Sequence, residues 1–401
     1  MRIAFYNHTS DVSGAEISLL LTTKHLTKAV PVLFAPEGEL LRRARESGLE
    51  TVSLPSYRAR LTKNPLLLLI HLIGMLWAGY LFAIRIRKHR MDIVHANSLR
   101  AGIMAALFGW IHRCPVVWHV RDNPPEGMIG KAIEWLASSS VRNIIGISQS
   151  VIDGFHEPKL SDKLRLVHNG IPLREIPDSE KADLRHKIRE ELETPADSLV
   201  LTIIGQIAPW KRQEDAIRGV HRLIENGHQV YLWVVGEPKF RQENEVYWND
   251  LHRLSAELQI EDRVRFTGFR KDVLEICSAA DLLLLCSDSE PFGRVLIEAM
   301  SQSIPVVATR SGGVPEIIED DYSGFLYEVA QVDQLVDHAS YLLRYPNLRH
   351  DMGRLALKRV REHFTIEKTV EKIEAIYQEI VSVQPNARVS IENSARKELS
   401  R

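Results

Sequence analysis

Cysteine is scarce in this chain. Three occur in 401 residues, Cys114, Cys277 and Cys286, all in apolar segments and none at metal-ligand spacing. That excludes a disulfide framework or a structural zinc site and predicts reduced core thiols. Net charge is equally scarce: 51 Lys and Arg stand against 52 Asp and Glu, so no nucleic acid or other polyelectrolyte partner is implied. No Gly-x-Gly-x-x-Gly follows a strand-like run, which argues against a dinucleotide dehydrogenase. Internal repeats and low-complexity tracts are also absent. The opening Met1-Arg-Ile-Ala-Phe-Tyr6 reads as a short strand leading into a polar loop and not as a signal peptide, so a cytoplasmic location is expected.

What is present is a long alternation. The length suggests two or three domains with ample core. Apolar runs at 3–6, 31–35, 51–54, 92–95, 116–120, 143–147 and 165–167 are separated by helical patterns. After the turn at Asn169-Gly170 and a stretch rich in proline and charge, the pattern restarts at 199–204, 229–235, 264–268, 281–286 and 305–308. Such alternation predicts βαβ units, parallel sheets and an α/β class with two doubly wound lobes. Ligands in such sheets bind at the carboxyl ends of the strands. The expected organisation is a first lobe over 1–171, a linker over 172–181 and a second lobe over 182–364. An amphipathic helix over 365–384 follows, with Ile366, Val370, Ile373, Tyr377 and Ile380 at helical spacing, then a polar, disordered tail over 385–401.

Charge is unevenly spread. Residues 1–175 carry 22 basic and 14 acidic side chains, so the front half is basic and the remainder acidic. A basic front half suits an anionic membrane surface or substrate, although chance surface variation produces the same imbalance. Within it, 65–84 is a run of 20 residues without formal charge, followed by Arg85, Arg87, Lys88 and Arg90. Its length makes it a spanning candidate. It lies between two predicted strands of one sheet, however, where a spanning segment would split the domain. It reads either as a core helix with an apolar outer face or as an interfacial helix over 58–90, with Arg58, Arg60 and Lys63 adding to the basic cluster.

The chemistry concentrates around Ser289-Glu-Pro-Phe-Gly-Arg-Val-Leu-Ile-Glu298. Glu290 and Glu298 stand on either side of a loop-to-helix junction. Gly293 allows close approach of a ligand to the backbone, and free amides at the helix start can receive phosphate oxygens. A carboxylate accepts from two hydroxyls at once, which suits sugar and ribose diols. The pair alone also describes a solvated helix start; the flanking Pro-Phe-Gly and the later Ser311-Gly-Gly-Val-Pro-Glu316 favour a ligand site.

These motifs, in this order, make the chain resemble a retaining glycosyltransferase of family 4, with the two-lobed GT-B fold and its hallmark Glu-x7-Glu. Ser13-Gly14-Ala15-Glu16 resembles the family's glycine-rich loop after the first strand. Ser148, Val151 and Phe155 with Val167-His-Asn-Gly-Ile171 resemble the approach to the linker, and Gly205-Gln-Ile-Ala-Pro-Trp-Lys211 the loop opening the second lobe. Val235-Gly-Glu237, Val264-Arg-Phe-Thr-Gly-Phe269 and the final helix, which crosses back to the first lobe in this fold, also fit.

The resemblance implies two Rossmann-like lobes facing across a cleft. A UDP- or GDP-sugar donor would be held by Gly14, Gln206, Lys211, Arg212, Glu290, Phe292, Gly293, Arg294 and Glu298. Ser13, Gly14 and Arg121 are acceptor-side candidates. His119, in Val117-Trp-His-Val-Arg121, would sit near the donor sugar and the acceptor hydroxyl, and His119, Glu290 and Lys211 form the implied catalytic set. The family's diphosphate clamp is usually an Arg and a Lys. Lys211 is the Lys, but the Arg position holds Gln206, which donates a hydrogen bond without charge; Arg212 is the expected substitute. No Asp-x-Asp metal motif precedes the site, so metal-independent transfer with no cofactor beyond the donor is expected.

The implied function is retaining transfer of a hexosyl unit from a nucleoside diphosphate sugar to a hydroxyl acceptor. A lipid-linked glycan or glycolipid is expected, in polysaccharide or cell-envelope biosynthesis at the inner face of the cytoplasmic membrane. Two alternatives stay open: a nucleotide-sugar epimerase of the same fold, and a non-catalytic partner subunit, motivated by Gln206.

Overall fold

The alternation of apolar runs and helices forms two parallel sheets in the computed structural model, which describes residues 1–55, 65–174, 176–239 and 241–382. The chain divides into two compact units, Met1–His168 together with the segment from Ile366, and Asn169–Thr365. The expected disordered tail, and Arg58, Arg60 and Lys63, lie outside the described residues.

In the first unit the strands are β1 (Arg2–Tyr6), β2 (Val30–Pro36), β3 (Glu50–Leu54), β4 (Ile93–Ala96), β5 (Val116–Val120), β6 (Asn143–Gly146) and β7 (Leu164–Leu166). They pair in the order β3-β2-β1-β4-β5-β6-β7, all parallel. Helices cover both faces, so the central strands read as continuous apolar runs; Ile3, Leu33, Ile93 and Val117 have no exposed surface. The strand order reverses between β1 and β4, which opens a crevice at their carboxyl ends.

The helix Ile366–Ser382 belongs to this unit. Ile373, Tyr377 and Ile380 join Ile3, Phe5, Leu33 and Val117 in one core. Glu374, nearly buried on the same helix, accepts from the backbone amides of Thr27 at 2.7 Å and Lys28 at 2.6 Å and from the Thr27 hydroxyl at 3.0 Å. Those contacts fix the helix register against the loop before β2.

The apolar run becomes one continuous helix, Pro65–His89. Its C-terminal half is anchored: Phe82, Ala83 and Ile86 are fully buried, and Phe82 stacks on Tyr6 with ring centroids 3.8 Å apart. Its outer face is not covered. Leu66, Ile70, Ile73, Trp77, Tyr80 and Ile84 are all exposed, Trp77 by 60%. Among the described residues no helix is long and apolar enough to cross a membrane.

The second unit repeats the architecture with β8 (Leu199–Ile204), β9 (Val230–Val235), β10 (Val264–Gly268), β11 (Leu282–Leu285), β12 (Val306–Thr309) and β13 (Phe325–Tyr327), in the order β10-β9-β8-β11-β12-β13. The sequence pattern predicts five of these six. The missed strand, β13, has only three residues and pairs with β12 from Val307–Phe325 to Thr309–Tyr327. Three residues are too few to show a period, and the preceding Ser323-Gly324 reads as a turn. Here the order reverses between β8 and β11.

Candidate active site

In the second unit two loops leave the sheet at that reversal. The first follows β8 and begins at Gly205. Its backbone is held by the next loop along: Gly205 donates to the Val235 carbonyl at 2.9 Å and Ile207 to the Glu237 carbonyl at 3.1 Å. A Cβ on Gly236 would lie 1.8 Å from the Gly205 carbonyl oxygen, so only glycine lets these backbones meet. Lys211 ends this loop with its ammonium 4.3 Å over the Trp210 ring.

The second loop follows β11. The Ser287 carbonyl accepts from the hydroxyls of Thr309 at 2.8 Å and Ser311 at 2.9 Å. The Glu290 carbonyl accepts from Gly313 at 2.8 Å. At Gly312, with φ at +54°, a Cβ would fall 2.0 Å from that same carbonyl oxygen. The Ser311-Gly-Gly motif therefore acts as a mould for the Glu290 loop. Asp288 donates to the Trp210 carbonyl at 2.9 Å, which ties the two loops together.

The result is a close ion pair: Lys211 Nζ stands 2.5 Å from Glu290 Oε2, with the two side chains 15% and 10% exposed. The Ser287 hydroxyl donates to the same carboxylate oxygen at 3.1 Å. Gly293 then starts the helix Arg294–Ser301 with a left-handed φ of +95° and no side-chain cap. The Leu296 amide donates to the Gly293 carbonyl at 2.9 Å, and the two amides before it, at the helix start, are suited to anion oxygens. One turn in, Glu298 Oε1 accepts from Arg294 Nη2 at 2.5 Å, while Arg294 Nε and Nη1 are buried without a partner among the described residues. Phe292, 2% exposed, packs edge-on to Phe364 at 6.1 Å and anchors the loop.

The Gln206 and Arg212 side chains also have protein partners in this unit. The Gln206 side-chain amide donates to the Lys239 carbonyl at 3.1 Å. Arg212 directs its guanidinium at Asp215, at 2.7 and 3.1 Å, and at Asp288, at 3.4 Å. The hydrogen-bonded Asp215 carboxylate raises the Arg212 pKa further, with nearby carboxylates adding to the effect. The Arg212-x-x-Asp215 spacing is that of a local ion pair on a helix.

In the first unit the polar side chains gather at the carboxyl ends of β1, β4 and β5. Ser13 and Glu16 form a capping box at the start of the helix Gly14–His25, with the Ser13 amide 3.0 Å and its hydroxyl 2.5 Å from Glu16 Oε2. A Cβ on Gly14 would meet nothing within 4 Å, so open space adjoins this loop. From Glu16 a buried network continues: Asn7 Nδ2 to Glu16 Oε1 at 3.2 Å, Asn97 Nδ2 to Asn7 Oδ1 at 3.1 Å, and Arg121 Nε to Asn97 Oδ1 at 2.6 Å. Arg121 Nη2 lies 3.4 Å from His119 Nδ1, His95 Nε2 lies 3.0 Å from the same atom, and the Tyr377 hydroxyl lies 2.6 Å from His95 Nδ1. Burial, then the Arg121 cation, pushes the His95 pKa down to about 3 and holds that of His119 well below its usual value, so both rings are neutral. His119 Nε2 is buried with no partner among the described residues.

Asn7, His95, Asn97 and Tyr377 were not foreseen as site residues. The signal for Asn7 and Asn97 was positional, since each directly follows a strand at the reversal point. Tyr377 reads from its period only as a core position. A cavity beside this network is lined by Tyr6, Asn7, His8, Leu54, Met75 and Arg100, a mixture of apolar and polar side chains. Among the described residues no group of three His, Cys, Asp or Glu side chains is placed to hold a metal ion.

Comparison with known proteins gives two family matches, Glycosyltransferase Family 4 over residues 12–175 and Glycosyl transferases group 1 over 185–359. N-acetyl-alpha-D-glucosaminyl L-malate synthase of Bacillus anthracis is 31% identical over 61% of this chain, and the match spans 62% of that relative. The UDP-Gal:alpha-D-GlcNAc-diphosphoundecaprenol alpha-1,3-galactosyltransferase of Escherichia coli is 23% identical over 74% of this chain and 77% of its own. Among solved structures, Anabaena HepE in complex with UDP-glucose superposes with a TM-score of 0.79 at 23% identity, covering 94% of this chain and 100% of its own.

Proposed function

Because the chain is a glycosyltransferase of the GT-B fold, related to the family 4 and group 1 enzymes, we propose that it moves a hexosyl unit from a nucleoside diphosphate sugar to a hydroxyl acceptor with retention of anomeric configuration. The observation that carries this reading is the Lys211–Glu290 pair at 2.5 Å, buried where two loops meet beyond β8 and β11. An ammonium suited to a diphosphate and a carboxylate suited to hydroxyls stand side by side, as a sugar joined to a diphosphate requires. Lys211 and the amides at the start of Arg294–Ser301 receive the diphosphate. Glu290 accepts from hydroxyls of the donor sugar, and Glu298 from the ribose diol.

In the step itself the bond from the anomeric carbon to the leaving phosphate oxygen breaks while the acceptor oxygen bonds to that carbon on the same face. The acceptor's proton passes to the departing diphosphate, so no protein base is required. The transition state is oxocarbenium-like, and negative charge grows on the diphosphate, where Lys211 and the helix amides stabilise it. The remaining contribution of the chain is orientation. A uridine nucleotide is favoured by the names of the Escherichia coli relative and the Anabaena complex.

A lipid-linked acceptor is supported by that relative's diphosphoundecaprenol substrate and by the first unit's surface. The exposed stripe Ile70, Ile73, Trp77, Tyr80 and Ile84 runs towards Arg87 and Lys88, with Trp110 alongside. Aromatic and aliphatic side chains above a basic cluster suit the interfacial layer of an anionic membrane. Co-sedimentation with vesicles containing phosphatidylglycerol is expected for the wild type, and the double variant Ile73→Asp, Trp77→Asp is expected to remain in the supernatant. Unchanged sedimentation of that variant would remove the docking reading.

Incubation with UDP-hexoses and a polyprenyl diphosphate-linked sugar tests the whole reading. Donor consumption should require the acceptor and persist in EDTA. Consumption without acceptor would identify an epimerase or a hydrolase, and activity restored only by Mg²⁺ or Mn²⁺ would overturn the metal-free step.

A further inference from the structure

Among the described residues, the Nε2 of His119 is one of several buried side-chain atoms without a hydrogen-bond partner, and it lies at the carboxyl end of β5. We infer that Tyr377 and His95 form a hydrogen-bonded relay that locks His119 as its Nε2–H tautomer, so that this ring presents a hydrogen-bond donor, and not a base, to a substrate oxygen. Tyr377 and His95 are positioning residues in this arrangement, and His119 is the group that touches substrate.

The proton positions follow from the partners. A guanidinium has donors only, and Arg121 Nη2 lies 3.4 Å from His119 Nδ1. That nitrogen is therefore the acceptor of the ring, and the one proton of a neutral imidazole sits on Nε2. His95 Nε2, 3.0 Å away, must then donate to the same Nδ1. His95 Nδ1 is left as an acceptor, and the Tyr377 hydroxyl, 2.6 Å away, is its donor. Every polar atom between Tyr377 and His119 Nδ1 is satisfied in this direction. The reverse direction would place a proton on His119 Nδ1 facing the N–H of Arg121, two donors with nothing between them.

The geometry leaves no freedom to choose otherwise. Tyr377 and His95 have no exposed surface, so water cannot substitute for a missing partner within the relay. The relay joins β4, β5 and the last helix, residues separated by as many as 282 positions in sequence. Among the described residues its open end is the His119 Nε2–H. A buried N–H without an acceptor is costly, and an incoming sugar oxygen removes that cost on binding. The His119 lone pair lies on Nδ1, engaged by two donors, so the ring cannot take the acceptor's proton. That agrees with a step in which the departing diphosphate does so.

The role towards a sugar oxygen rests on the function proposed above, whereas the tautomer does not, and the two can be separated. In protein labelled with ¹⁵N-histidine, long-range ¹H–¹⁵N correlation distinguishes a protonated ring nitrogen from a bare one. The His119 signals are assigned by their loss in His119→Gln. Wild type is expected to show Nε2 protonated and Nδ1 bare throughout pH 6–8, without any ligand. His95→Leu should give a mixed His119 tautomer and lower kcat by about tenfold with little change in donor KM. His95→Gln, whose amide can donate to Nδ1, should restore most of both. Tyr377→Phe, which keeps the core ring and guards against loss of the fold, should shift the tautomer in the same direction as His95→Leu. A wild-type proton on His119 Nδ1, or a His95→Leu variant with unaltered tautomer and kcat, would overturn the relay. The expected tautomer in a protein that binds no nucleoside diphosphate sugar would support the relay and overturn the function proposed above.

Discussion

Replacing Lys211 with alanine is expected to lower kcat by about 10²–10³-fold, the effect typical of removing one preorganised group from developing charge. Lys211 lies 2.5 Å from Glu290 and over the Trp210 ring. Gln206 carries no charge, and Arg212 is engaged by Asp215 and Asp288. Neither position is expected to replace the ammonium that the proposed function sets on the diphosphate. The same change leaves the Glu290 carboxylate, 8% exposed, with Ser287 as its remaining hydrogen-bond donor in this loop. Breaking a buried ion pair on one side costs on the order of 3 kcal/mol, so a lower melting temperature should accompany the kinetic loss. Steady-state kinetics beside a thermal melt separates the two effects, because UDP inhibition should also weaken at temperatures where the variant is fully folded. Near-wild-type kcat would remove Lys211 from the diphosphate.

The second large effect is expected at Glu290. Glu290→Gln keeps the shape and removes the charge. Donor turnover should fall by about 10²-fold, since a neutral amide is a weaker acceptor for sugar hydroxyls than a carboxylate. Inhibition by UDP alone should stay within a few-fold of wild type, because UDP carries no hexose. Lys211→Ala and Glu290→Gln thus divide the donor between them, the first weakening UDP and the UDP-sugar together, the second the UDP-sugar selectively. Equal loss of UDP binding in both variants would show that Glu290 acts only by holding Lys211 in place.

Much of the local structure around this candidate site was legible in the sequence, for identifiable reasons. Glu290 and Glu298 are eight positions apart, and Gly293 between them is the helix start their spacing implied. The strands were visible because buried parallel strands are written as apolar runs; β13 escaped because three residues carry no period. Local order also explains one partner that was overlooked: Arg212 pairs with Asp215 three positions on.

Other features depend on tertiary proximity that no spacing records. His95, His119 and Tyr377 meet across 24 and 282 positions. Tyr377 occupies a core position by its period, and only the fold shows its hydroxyl on an imidazole. The mould around Glu290 is similar. The close contact of Gly312-Gly313 with the Glu290 carbonyl appears only once β11 and β12 lie side by side. The run from 65 to 84 satisfied the length of a membrane span; its burial at Phe82, Ala83 and Ile86 and exposure at Ile73 and Trp77 come from packing against β1 and its neighbours.

Calorimetric titration of UDP into the protein in EDTA bears most directly on the donor site. Saturable binding in the absence of metal is expected for wild type, with affinity lost in Lys211→Ala and retained in Glu290→Gln. Absence of binding by UDP, GDP and ADP alike, or binding that Lys211→Ala leaves unchanged, would contradict the assignment of the Lys211–Glu290 loops to a nucleoside diphosphate sugar.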